Sequence, residues 1–98
     1  MQWLIDHGDR LEYVSVARLS LSSLLADSGQ FEQALSVLDS QASPAFEGLF
    51  FDRKGDIAFA QQNFQQAKQF YEQSISVLQE NSPLKSFVES KIAALPAE

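Results

Sequence analysis

Apolar side chains recur along this chain at steps of three and four residues, and no segment keeps the two-residue alternation of a half-buried strand. His7-Gly8-Asp9 is a turn signal with Asp9 as an N-cap candidate. From there Val14, Ala17, Leu21, Leu24 and Leu25 follow helical spacing until Ser28-Gly29 interrupts it. Phe31, Ala34, Leu35 and Leu38 predict a shorter second helix. Ser43-Pro44 supplies a cap and a first-turn proline for a third, whose apolar face is Phe46, Leu49, Phe50 and Ile57. Phe64, Ala67, Phe70, Tyr71, Ile75 and Leu78 predict a fourth helix. A fifth starts at Ser82-Pro83, carries Leu84, Phe87, Val88 and Ile92, and stops before Pro96. The chain is predicted to be all α.

One phrase is written twice. Phe31, Gln33 and Ala34 in "GQFEQAL" line up with Phe64, Gln66 and Ala67 in "QNFQQAK", an offset of 33 residues. Helices joined by turns this short pack as antiparallel neighbours, so the offset marks two consecutive helical hairpins. Hairpins of this length resemble the tetratricopeptide repeat, with its period of about 34 residues and its W-x2-L-G-x2-Y…A-x3-F signature. Phe51, Lys54, Gly55 and Ala58 take the first-helix places of the second unit, and Ala67 and Tyr71 its second-helix places. Arg18, Leu21, Ser22, Leu25, Ala34 and Leu38 correspond in the first. Three residues depart from the pattern: Arg18 stands for an aromatic, Lys54 for Leu, and Gln62 for the turn glycine that Gly29 keeps. Ala34 and Ala67 are expected where each second helix crosses its first, with Ser22 and Gly55 as small counterparts. Phe51, Gly55 and Phe59 form a second apolar face on the third helix, which is therefore expected to be covered on both sides.

The resulting expectation is one tetratricopeptide-like α-α superhelix over residues 1–98. Residues 10–42 form the first repeat, 43–80 the second, and 82–95 a capping helix. Residues 1–8 read as the remnant of a preceding helix, with a strap over the first repeat as the alternative, because Trp3, Leu4 and Ile5 sit too near the start to make a helix alone. Trp3, Leu4 and Tyr13 are a candidate patch at that end.

Composition narrows the function. The chain is 45% hydrophobic with eight Phe, enough for a packed core. Thirteen acidic against seven basic residues leave a net charge of −6, which argues against nucleic acid and anionic lipid as main partners. No Cys is present, so thiolate zinc sites and disulfides are excluded. His7, the one histidine, stands in a turn without a visible partner and reads as exposed and inert. "DRKGD" (52–56) reads as solvated helix pairs rather than a catalytic carboxylate dyad. The Gln-rich stretch 61–73 keeps helical spacing and reads as an uncharged helix face. Neither catalytic residues nor cofactor or metal ligands emerge.

What remains is surface for binding protein. First helices line the concave side of such stacks, and helical-wheel placement puts Val16, Leu19, Ser23, Leu49, Asp52 and Asp56 there. That row is apolar and acidic, so its partner would be apolar, basic or a folded protein. A neighbouring helix filling the groove is the competing expectation.

With the units aligned, a narrower resemblance appears. "ARLSLSSLL", "ALSVLD" followed by "SPAF", "RKGDIAFAQ" and "SPLKSFVESKIAALP" resemble the repeat region of the YfgM family, ancillary subunits of the bacterial Sec translocon, over residues 14 to 96. The resemblance implies a C-terminal portion of a protein anchored by one membrane helix absent here. It implies a location on the periplasmic side of the inner membrane, with translocon subunits and periplasmic chaperones as partners. A generic cytoplasmic adaptor reading peptides is the alternative, and a self-association module pairing through the N-terminal end or the last helix is the third.

Overall fold

The computed structural model describes residues 10–40 and 42–96, and among them all regular structure is helical. Among the described residues the α-helices are α1 (Arg10–Asp27), α2 (Phe31–Val37), α3 (Glu47–Ala60), α4 (Phe64–Val77) and α5 (Pro83–Ala93). A 3-10 turn, Pro44–Phe46, precedes α3. Expectations for the N-terminal remnant, for Trp3 and Leu4, for His7 and for the Asp9 cap fall on residues 1–9, outside those described.

The chain divides into two compact units after Phe46. The first holds α1, α2 and the 3-10 turn; the second holds α3, α4 and α5. The sequence placed the boundary earlier, at Ser43, as a helix cap. Instead the Ser43 amide donates to Ser15 Oγ at 3.0 Å, and Ser15 Oγ donates to the Leu11 carbonyl at 2.7 Å. That link holds the approach to the turn against α1, and the α-helix itself begins at Glu47.

Each hairpin closes with the same turn. Gly29 has φ +80° and Gln62, 33 residues on, has φ +64°. Gly29 N–H donates to Ala26 O at 3.0 Å and Gln62 N–H to Phe59 O at 2.9 Å. The next amides, Gln30 and Asn63, reach back to Leu25 O and Ala58 O at 2.8 and 2.9 Å. Orphan carbonyls of the first helix are satisfied in this way and the chain reverses at once. Glycine adopts positive φ without steric cost, whereas glutamine does so against a Cβ clash.

Inside the hairpins small residues set the spacing. Ala34 and Ala67 are completely buried, as are Ser15 and Ser22. Gly48 and Gly55 occupy the positions of Ser15 and Ser22 in the second unit. A Cβ on Gly48 would strike the Leu78 side chain, and one on Gly55 would run into the Tyr71 ring. Ser74 Oγ adds a 2.8 Å hydrogen bond to the Gly48 carbonyl, joining α4 to α3. In the second unit Ala58, Ala67, Tyr71 and Val88 make a core flanked by Phe70, Ile75, Leu84 and Ile92. Helix α5 starts as its sequence foretells: Ser82 Oγ accepts from Leu84 N–H at 3.2 Å, with Pro83 in the first turn.

Two residues that break the repeat signature have physical employment. Arg18 is half-buried and donates to the Val37 carbonyl at 3.3 Å, joining α1 to the end of α2. Lys54 runs its stem along aromatic surface, its ammonium 5.4 Å from the Phe51 ring centre and 5.8 Å from that of Phe70.

Helix α1 corrects the sequence reading. The stripe predicted for the core, Val14, Ala17, Leu21, Leu24 and Leu25, is largely outside: Ala17 is exposed, Leu21 46% and Leu24 65% exposed. The inward face is Ser15, Leu19 and Ser22. The helix is apolar around most of its circumference, so spacing alone does not distinguish its two sides. Close approach of α2 decides between them, because it needs the small side chains. On α3 the second apolar face is graded: Gly55 is buried, Phe51 half-buried, and Phe59 45% exposed.

Candidate partner-binding face

The residues assigned to a concave row differ widely in exposure within each unit. In the first unit Val16 is exposed (48%), Ser23 half-buried and Leu19 buried. In the second, Leu49 and Asp56 are half-buried and Asp52 is buried. Leu19 and Asp52 are therefore corrections: their side chains face the interior and offer nothing to a partner. For Leu19 the reason is its place between Ser15 and Ser22 on the inward face of α1. For Asp52 it is α5.

Asp52 and Asp56 stand one turn apart on α3, so their carboxylates point the same way. Lys91 of α5 serves both. Its Nζ lies 3.1 and 3.3 Å from the two Asp52 oxygens and 3.0 and 3.2 Å from those of Asp56. The Tyr71 hydroxyl of α4 donates to Asp56 Oδ1 at 2.6 Å. The same ammonium sits 4.5 Å from the Phe87 ring centre and 5.6 Å from that of Tyr71. Within the second unit the competing expectation thus describes the acidic pair: a neighbouring helix covers it.

Two carboxylates share one ammonium at a partly buried site, with Asp52 the most enclosed of the three. Burial pushes the Asp52 carboxyl above its ordinary 3.8, the Asp56 charge pushes the same way, and hydrogen bonding and attraction from Lys91, with attraction from Arg53, offset only part. Burial, with the hydrogen bond to Asp56, drives the Tyr71 phenol far upward, so it stays a protonated donor.

The repeat-signature residues fall as follows. Ala34, Leu38, Gly55, Ala67 and Tyr71 are buried. Phe31 and Phe64 are half-buried beside the turns, and the Phe64 ring meets Phe59 edge-on at 5.3 Å. Among the described residues, no group of three or more His, Cys, Asp or Glu gathers to hold a metal ion. Sequence reasoning missed Lys91, which lies 35 and 39 residues from its acidic partners with no local pattern to announce it. It also missed the outward apolar face of α1, whose signal was present but assigned inward.

Paired helices closed by a repeated turn and a small-residue crossing define a tetratricopeptide class of protein. The chain belongs to the tetratricopeptide repeat-like domain family, whose pattern matches residues 1–97. Among curated proteins it is similar to the ancillary SecYEG translocon subunit of Neisseria gonorrhoeae (strain ATCC 700825 / FA 1090). The two are 23% identical over 95 residues, covering 97% of this chain and 46% of that relative. The chain therefore spans under half the length of the relative it matches. No solved structure matches it significantly. Among the described residues no helix is long and apolar enough to cross a membrane.

Proposed function

We propose that this chain is a non-catalytic protein-interaction module, the periplasmic repeat region of an ancillary Sec-translocon subunit that links the translocon to periplasmic chaperones. The observation that carries this is the match to the translocon relative along almost the whole chain. The internal chemistry supports it. The Asp52–Asp56 pair holds α5 through Lys91, and Tyr71 is a fixed donor within it. What the chain presents outward is helix surface, the currency of repeat proteins that bind other proteins. Val16, Ser23, Leu49 and the accessible edge of Asp56 are the contact residues retained from the sequence.

The test is site-specific photocrosslinking in the native membrane. A crosslinker at Leu49 of the full-length protein is expected to capture translocon subunits, identified by mass spectrometry. The second arm is topology: the exposed Ser36→Cys should react with an impermeant maleimide once only the outer membrane is opened. Labelling that requires rupture of the inner membrane would remove the periplasmic assignment and favour a cytoplasmic adaptor.

A further inference from the structure

Helix α1 turns Arg10, Tyr13, Ala17, Ser20, Leu24 and Asp27 outward; all six are exposed. Their spacing is three, four, three, four, three, the heptad step of a helix-pairing seam. Tyr13 is 58% and Leu24 65% exposed, and Val16 (48%) and Leu21 (46%) flank the seam. Side chains this apolar, contiguous along an exposed helix, mark an association surface.

The seam is also its own complement. Laid antiparallel about the point midway between Arg18 and Leu19, Arg10 meets Asp27 of the other copy, Tyr13 meets Leu24, and Ala17 meets Ser20. Opposite charges close both ends, aromatic packs on aliphatic one turn in, and the two smallest residues lie at the centre, where helices approach most closely. Antiparallel helices place each positive N-terminal end by the other's negative C-terminal end. A two-fold axis asks every residue i facing j to find j facing i, and this seam satisfies that pairwise.

We propose that α1 is the homodimerisation helix of this protein, pairing antiparallel with α1 of a second copy through the Arg10–Asp27 seam. One pair of five-turn helices is a small interface, so association belongs to the weak, reversible range, micromolar to millimolar.

Sedimentation equilibrium of the 98-residue chain, run from low micromolar to millimolar, tests this. A monomer–dimer equilibrium is expected. Leu24→Glu should abolish it while far-UV circular dichroism stays unchanged, since that side chain is mostly in solvent. Arg10→Asp or Asp27→Arg alone should weaken association about five- to tenfold, because each reverses two symmetry-related pairs. Combined in one chain, the two exchanges should restore it. A monomer throughout the series would overturn the proposal, as it would if a different segment or a different protein covers this face. A dimer indifferent to Leu24→Glu would move the interface elsewhere, and failure of the double exchange to recover would refute the antiparallel pairing.

Discussion

Gln62 and Gly29 hold the same left-handed backbone, one with a side chain that dislikes it. Replacing Gln62 by Gly relieves the Cβ clash, and the added freedom of the unfolded chain offsets part of the gain. The net is an expected stabilisation of about 0.5–1 kcal/mol, read as a higher urea midpoint at unchanged slope. The demand for positive φ was legible in Gly29 and hidden at Gln62, where only the repeat offset points to it. Ala67 carries the opposite lesson. It is fully buried at the crossing of α3 and α4, so Ala67→Leu should cost about 1–3 kcal/mol by overpacking. Gln65→Leu, on the exposed side of the same helix, should lie within about 0.5 kcal/mol of the parent. Equal midpoints for these two variants would contradict the crossing.

At the scale of an element, α5 is held by apolar packing through Val88 and by the Lys91 ammonium between two aspartates. Removing that charge as Lys91→Met leaves the buried Asp52 beside Asp56 with no shared cation. A buried ion pair broken on one side is costly, but the Lys91 and Asp56 side chains are 22% and 39% exposed, so solvent screens part of the loss. About 1–3 kcal/mol is expected at neutral pH. Acid should reduce it. Asp52 binds its proton more tightly folded than unfolded, mainly through burial and then through Asp56. Its contribution is therefore largest when protonated and is lost as pH rises from 3.8 through the folded value. Denaturant midpoints should show Lys91→Met closing on the parent in mild acid. Asp52→Asn should remove the part of the parent's pH dependence that declines toward neutrality. A Lys91→Met deficit that grows in acid would show that the cluster is not the cause.

For the whole molecule, a net charge of −6 and a family built on helix stacking point to protein surfaces as partners. At physiological salt the chain should show no saturable binding to duplex DNA or anionic vesicles by fluorescence anisotropy; salt-sensitive retention on either would contradict that balance. The linear chain by itself determined five helices, their turns, the doubled hairpin and the small residues at each crossing. Those features are set by neighbours three or four positions away, or by a motif repeated at fixed offset. Folding in three dimensions decided the rest: which side of α1 lies inward, and which cation settles on Asp52 and Asp56. An all-round apolar helix has no preferred face until a second helix chooses one, and an ion pair spanning 39 residues leaves no trace in local spacing.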